Sequence, residues 1–346
     1  MSFAHVETIA GVPVAFRAGT DAPGVAAGLF YAAGSRWEHE NEHGAAHFVE
    51  HLLFKGTKKR SCKELSREVE GRGGDLNAYT SEEAMCLHGR VPAGHGSQLV
   101  SLLAEMALES VFPPEEVERE RGVITEEIRM MEDQPAAVAG EALNSILWPG
   151  QGVGRPIAGT MESVGSIPRQ GLMDFWKRRI KGLRPVLVVA GGMPEKEARA
   201  TVAKVLRASG KVAPKKPVPA RRVKAKELRV KAVAKPVQQV NLAVGMYAFG
   251  RNDPRRHALR IYSVILGEAM SSRLFQRLRE EEGLVYSISS GAHLQTDDGA
   301  FYVSAGLEPG NVGKALGIIA EEMRELATKG PGAAELKRAK DYATGQ

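Results

Sequence analysis

The order of predicted elements repeats along the chain, and this repeat constrains the fold more than any other sequence feature. In each half, strand and helix patterns follow the order strand, helix, helix, strand, strand, helix. The first copy is predicted at 25–33, 43–54, 62–70, 75–80, 84–91 and 96–110. The second copy is predicted at 239–247, 254–268, 272–282, 284–290, 300–306 and 311–328. The sequence therefore predicts two related α+β domains.

The predicted domain boundaries follow from the places where the repeat breaks. Residues 1–210 form the first domain and residues 236–346 the second. Residues 211–235 are rich in Lys, Arg, Pro and Ala, so we predict a solvated basic linker that leads into a strand. The second copy is shorter than the first, and its last helical pattern has no capping residue. We therefore expect the second domain to be incomplete at its C-terminus.

The formal net charge of +6 suggests nucleic-acid binding, but the distribution of that charge argues against it. Much of the excess lies in the linker, which contains no aromatic residue to stack on bases. The sequence has no apolar run of about 18 residues, so no membrane span is expected. We therefore expect neither nucleic acid nor a membrane as a partner.

The N-terminus and the cysteines bear on the cellular compartment. The first residues lack the basic start and apolar stretch of a secretory signal. Cys62 and Cys86 are too few for a disulfide framework, and reduced thiols are typical of the cytoplasm. We expect a cytoplasmic protein, with export of a longer precursor to the periplasm as the open alternative.

The run His47-Phe48-Val49-Glu50-His51 combines metal ligands with a potential general base. Residues 47, 50 and 51 are spaced i, i+3 and i+4, so they share one face of a helix. Two imidazoles one turn apart can hold one zinc ion, and a carboxylate beside them can take a proton from an activated water. The second half has no counterpart of this run. We therefore predict one metal site per chain, with Glu50 as the base.

A third protein ligand is expected on the helix predicted at 114–132. Its apolar residues define a buried stripe at helical period: Val117, Ile124, Ile128 and Met131. Glu120 and Glu127 flank this stripe on one side, and Glu126 points nearly opposite. Glu127 is therefore the predicted metal ligand, and Glu120, two turns away, is predicted to orient a histidine. Without the histidine motif, all three would be interpreted as surface carboxylates.

Four segments resemble the zinc peptidase family of pitrilysin, insulysin and the mitochondrial processing peptidase, whose His-x-x-Glu-His order defines inverzincins. They are GAAHFVEHLLFKGT at 44–57, GDLNAYT at 74–80, ERGVITEE at 120–127, and the pair Arg279 and Tyr286. The resemblance covers essentially the whole chain. It implies two homologous domains, each a mainly antiparallel sheet with helices on one face. It also implies that these domains form half of a clam-like chamber, within a homodimer.

The resemblance further implies a zinc-dependent endopeptidase that cleaves unstructured peptides or precursor segments. The peptide pairs as an added strand beside 76–80, and the matching residues contact it. Those substrate contacts are Asn77 and Ala78 in the strand, with Arg279 and Tyr286 steadying the substrate or the developing oxyanion. Phe48 and Phe54 either line an apolar substrate pocket or pack in the core.

Two other classes of function stay open at this point. The first is a non-catalytic partner or scaffold subunit of the same fold, although such subunits usually lose the histidine motif. The second is a binding protein with a structural zinc, although structural sites tend to fill all four positions with Cys and His.

Overall fold

The computed structural model describes residues 5–224 and 228–345. These residues pack as two compact units. The first unit comprises the chain up to Arg129 together with Arg155–Pro217. The second comprises Met130–Gly154 together with the chain from Val218 onward. Two units agree with the predicted repeat, but the boundaries differ from those predicted.

Six strands of the first unit form one mixed sheet. They are β1 (His5–Ile9), β2 (Val12–Arg17), β3 (Gly24–Tyr31), β4 (Asp75–Thr80), β5 (Met85–Pro92) and β6 (Val186–Gly191). Their spatial order is β1-β2-β6-β3-β5-β4, and all neighbours except β2 and β6 are antiparallel. The predicted mainly antiparallel sheet is confirmed, and β4 lies at one edge of it.

Helices account for most of the remaining regular structure. The α-helices are α1 (Ala45–Leu52), α2 (Cys62–Glu70), α3 (Gly96–Glu109), α4 (Pro114–Glu132), α5 (Pro135–Leu147), α6 (Met161–Ser166), α7 (Arg169–Trp176), α8 (Glu195–Val205), α9 (Arg256–Ser263), α10 (Val312–Lys329) and α11 (Ala333–Gly345). The helix predicted at 254–268 begins as α9 and ends in the π-helical turn Val264–Glu268. Another π-helical segment, Phe275–Glu281, falls within the helix predicted at 272–282.

Alternating burial explains why helices cover one face of the first sheet. In β2, Val12, Val14 and Phe16 are buried, whereas Pro13 and Ala15 between them are only half-buried. Side chains of successive strand residues point to opposite faces, so the buried set lies on one side. These residues share one hydrophobic core with the apolar faces of α1, α3, α7 and α8. That core fixes the position of α1, which carries the histidine motif.

The sheet of the second unit reproduces the pairing of its counterparts in the first. Its strands are β7 (Val240–Tyr247), β8 (Val285–Leu294) and β9 (Gly299–Leu307), in the antiparallel order β7-β9-β8. In the first unit, β3, β5 and β4 adjoin in the equivalent order. The repeat predicted from the sequence is therefore present in the topology.

The packing of α5 corrects the predicted first domain, 1–210, because residues 130–154 belong with the second unit. Leu143 of α5 lies so close to β7 that a Cβ at Gly245 would meet its side chain at 2.8 Å. Beyond α5, the Trp148 indole donates a hydrogen bond of 3.0 Å to buried Asp298. A glycine in the strand thus permits the close approach that holds α5 in this unit.

The predicted linker is partly bound to the second unit rather than wholly solvated. Arg222 donates from Nε to Asp298 at 2.9 Å, and Arg229 donates to the Tyr247 hydroxyl at 3.2 Å. Its described residues, 211–224 and 228–235, form no helix or strand, and most of their side chains are exposed. The segment leads into β7, as predicted, but arginine contacts anchor part of it. In the described part of the chain, no helix combines the length and apolarity needed to cross a membrane.

Candidate metal centre

Helix α1 has one fully buried apolar face, and its opposite, polar face is therefore partly exposed. Phe48, Val49 and Leu52 have no exposed surface, whereas His47, Glu50 and His51 are half-buried. The helix begins after Gly44, whose φ of 92° favours glycine. Packing anchors one side of the helix and leaves the polar trio accessible on the other, as the spacing predicted.

The N-terminus of α1 is held by a buried carboxylate that sequence reasoning missed. Glu38 accepts hydrogen bonds from the backbone N–H groups of Gly44 at 3.1 Å and Ala46 at 2.8 Å. Burial raises the pKa of Glu38 to about 8, although both N–H donors act to lower it. An acidic residue shortly before a predicted helix is the sequence signal that could have identified this contact.

Three predicted ligands converge between α1 and α4. Nε2 of His51 lies 3.5 Å from Oε2 of Glu127, and Nε2 of His47 lies 3.8 Å from the same oxygen. All three donor atoms lie within 4.8 Å of one another, and no second such group occurs in the described ranges. Nitrogen and oxygen ligands bind zinc at about 2.0–2.2 Å, so tetrahedral donors are roughly 3.3–3.6 Å apart. The distances to Glu127 are close to this spacing, and the donor set fits a zinc ion.

The electrostatics of the histidines also suit a metal. Burial, followed by the nearby charge of His51, lowers the pKa of His47 to about 4, so its imidazole is neutral near pH 7. A neutral imidazole is the form that coordinates a metal. Nδ1 of His47 is buried without a hydrogen-bond partner among the described residues. No hydrogen bond at Nδ1 therefore competes with a metal for this ring.

Glu120 occupies the supporting position predicted for it. Its Oε2 atom lies 3.0 Å from Nδ1 of His51, and its Oε1 atom lies 2.6 Å from Nζ of Lys55. A carboxylate that accepts a hydrogen bond from Nδ1–H leaves Nε2 of the same ring free for a metal. The structure thus brings Glu120 together with the ligands, and it adds Lys55, which sequence reasoning missed.

Glu50 lies on the same face as the ligands and is held by the end of β4. The Thr80 hydroxyl donates a hydrogen bond of 2.5 Å to Oε2 of Glu50. Burial raises the pKa of Glu50 and Glu127 raises it further, whereas Thr80 and His51 lower it. Thr80 shares the inner face of β4 with Ala78, so strand alternation is the signal that could have predicted this contact.

The predicted substrate strand β4 pairs with β5 and forms the edge of the sheet. Asn77 is exposed on its outer face, and Ala78 is half-buried on its inner face. The Asn77 side chain accepts a hydrogen bond of 2.8 Å from the backbone N–H of Ala78. An edge strand offers backbone donors and acceptors to an added strand, so this arrangement is compatible with the predicted peptide contact.

The burial of four other residues named in the sequence analysis can be compared with the predictions made for them. Phe48 has no exposed surface and packs beneath the Arg121 guanidinium, so it belongs to the core and does not line an open pocket. Phe54 is half-buried against the core, and its pocket role stays a prediction. Glu126 is exposed beside Arg129, as predicted. Met131 is 40% exposed, so its predicted place in the buried stripe of α4 was wrong.

Arg279 and Tyr286 belong to the second unit. The Arg279 guanidinium lies 5.1 Å from the centre of the Phe275 ring, within the same π-helical segment. Tyr286, in β8, is 58% exposed. Both residues are within one short stretch of chain, and their predicted action on a substrate stays a prediction.

Comparisons with known proteins agree with this geometry. Residues 14–161 match the family model described as Insulinase (Peptidase family M16), and residues 166–342 match Peptidase M16 inactive domain. An uncharacterized zinc protease of Streptomyces coelicolor is 32% identical over 90% of this chain and 69% of its own length. The mitochondrial-processing peptidase subunit beta of Bos taurus is 33% identical over 87% of this chain and 63% of its own.

The fold is also similar to that of a solved structure. A crystal structure of a peptidase M16 inactive domain from Pseudomonas fluorescens superimposes with a TM-score of 0.93 at 22% sequence identity. The match covers 100% of this chain and 84% of that chain. At this identity the likeness concerns the fold alone.

Proposed function

Because the chain belongs to peptidase family M16, we propose that it is a zinc-dependent endopeptidase that cleaves unstructured peptides or precursor segments. One observation carries the proposal: Nε2 of His47, Nε2 of His51 and a Glu127 oxygen converge beside the carboxylate of Glu50, which is not one of the three ligands. Three protein ligands are typical of catalytic zinc sites, which keep a position open for water or substrate. A structural zinc site would fill that position with a fourth ligand.

A zinc ion held by His47, His51 and Glu127 would supply Lewis-acid chemistry, toward the scissile carbonyl and toward water. Glu50 takes a proton from the attacking water and returns it to the leaving amine. Thr80 holds one carboxylate oxygen of Glu50, so the other oxygen remains for proton transfer. Glu120 fixes the His51 ring, and the ligand geometry is thereby preorganised.

The peptide is proposed to dock along the outer edge of β4 by backbone pairing. The hydrogen bond from the N–H of Ala78 to the Asn77 side chain must then break, so that this N–H can pair with the peptide. Arg279 and Tyr286 are proposed to steady the substrate or the developing oxyanion. We also propose that each chain binds one zinc ion and that the protein is a homodimer. Its proposed location is the cytoplasm, and the alternative is the periplasm.

The rival proposal, a non-catalytic subunit, has one observation in its favour. The family description that includes the word inactive matches residues 166–342. The ligands and Glu50 lie outside that range, within the match to the insulinase description at 14–161. The metal residues are intact there, so the observation favours a second unit without a metal site rather than an inactive chain.

The proposal is tested by hydrolysis of a mixed pool of unstructured peptides, with and without a chelator. The decisive variant is Glu50→Gln, and the matched control is Glu126→Gln, an exposed glutamate on α4 beside the ligand. We expect cleavage by the wild type and the control, loss with the chelator or Glu50→Gln, and recovery of the chelated wild type on addition of zinc. Zinc-loaded wild type that cleaves no peptide would instead support the non-catalytic subunit.

A further inference from the structure

The carboxylate of Glu120 is nearly inaccessible to solvent, and each of its oxygens has one partner. Oε2 lies 3.0 Å from Nδ1 of His51, and Oε1 lies 2.6 Å from Nζ of Lys55. The Glu120 side chain is 4% exposed, and that of Lys55 is 22% exposed. Within 5–224 and 228–345, Lys55 supplies the one Lys or Arg nitrogen within 4.0 Å of Glu120.

Lys55 reaches this position because of where α1 ends. The helix stops at Leu52, and the chain continues in a turn in which the N–H of Lys55 donates to the carbonyl of Leu52 at 3.1 Å. Lys55 is therefore one turn beyond His51, on the side that meets α4. A buried carboxylate without a compensating cation is costly, and removal of one partner leaves the other charge unpaired.

We propose that Lys55 is a positioning residue of the metal centre. Its ammonium group holds Glu120 in place by contact with Oε1, so that Oε2 accepts a hydrogen bond from Nδ1–H of His51. That contact selects the His51 tautomer whose Nε2 lone pair is free, and it aims Nε2 at the metal. The proposal depends on the metal site of the proposed function but not on the peptide chemistry.

The geometry also identifies a matched control. Lys59 follows Lys55 by four residues and forms an ion pair of similar length with Glu109, at 2.9 Å. Its side chain is 60% exposed and does not contact the metal residues. Removing the charge of Lys59 changes the total charge of the protein by the same amount as removing that of Lys55. Any general electrostatic effect on zinc binding is therefore common to both variants.

The experiment measures zinc affinity by competition with a chelator of known affinity, on the full chain. Lys55→Met is expected to weaken zinc binding about 10-fold to 100-fold, the range typical of residues that orient metal ligands. Lys55→Arg is expected to recover most of the affinity, and Lys59→Met to bind zinc like the wild type. In the double variant Lys55→Met/Glu120→Gln no buried charge is left unpaired. We therefore expect its loss of zinc affinity to be smaller than the losses of Lys55→Met and Glu120→Gln combined.

Circular dichroism and thermal unfolding without zinc test whether each variant is folded. If Lys55→Met does not fold, Lys55→Ser replaces it, since a short polar side chain leaves room for water beside Glu120 but does not reach Oε1. Wild-type zinc affinity in a folded Lys55→Met or Lys55→Ser variant would overturn the proposal. Wild type that binds zinc without cleaving peptides would contradict the proposed function alone, whereas wild type without zinc binding would overturn both.

Discussion

Thr80→Val removes the hydrogen bond that orients the proposed base while keeping the shape of the side chain. The Thr80 hydroxyl donates to Oε2 of Glu50 at 2.5 Å, from a half-buried position at the end of β4. A hydrogen bond to a charged group contributes about 1.5–3 kcal/mol. If this contribution is lost from the transition state, kcat falls by roughly 10-fold to 150-fold. The packing is kept, but the same hydrogen bond also stabilises the folded protein, so the free energy of unfolding should fall by about 1.5–3 kcal/mol.

The assay is steady-state hydrolysis of one peptide that the wild type cleaves, together with zinc affinity and denaturant unfolding. Thr80→Ser is the matched control, because it retains the hydroxyl and should keep kcat within a few-fold of the wild type. We expect Thr80→Val to lower kcat more than it changes KM, with zinc affinity unchanged. Wild-type kcat in a folded, zinc-loaded Thr80→Val variant would refute the argument that this contact orients Glu50.

Three further predictions concern stability, each measured by denaturant unfolding. Burial raises the pKa of Glu38 to about 8, so the folded state retains a proton that the unfolded chain loses above about pH 4.5. Wild-type stability relative to Glu38→Gln should therefore decrease as pH rises from about 5 to 8, and a constant difference would contradict this. Asp298→Ala leaves the buried Trp148 indole without its acceptor, whereas Arg222 keeps its contact with the Ala248 carbonyl, so we expect a loss of about 1–3 kcal/mol; unchanged stability would contradict this. Phe48→Ala should cost about 3–5 kcal/mol because the ring is fully buried, and a small cost with altered peptide preference would instead favour the pocket role.

The positions of individual side chains on α1 and α4 could be predicted because they depend on helical period alone. Residues 47, 50 and 51 share a face in any helix, and so do Glu120 and Glu127. The structure places these residues accordingly, with His51 between Glu120 and Glu127. Met131 was placed wrongly, because the periodic pattern does not show where the buried stripe of α4 ends.

Contacts between segments far apart in the sequence were not predictable in the same way. Thr80 reaches Glu50 across 30 positions, and Lys55 reaches Glu120 across 65 positions, through the packing of α1 against its neighbours. The sequence left two roles for Phe48, in a substrate pocket or in the core, and its complete burial places it in the core. Nothing local to these residues specifies which surface each will meet.

The sequence by itself determined the repeated order of elements, the helical face that bears His47, Glu50 and His51, and the choice of Glu127 over Glu126. These features follow from backbone periodicity, which acts over a few residues. Only the tertiary structure decided that α5 packs with the second unit and that Lys55, Glu38 and Thr80 support the metal helix. Such contacts depend on which apolar faces pack together across the chain, and shape complementarity in the folded core selects them.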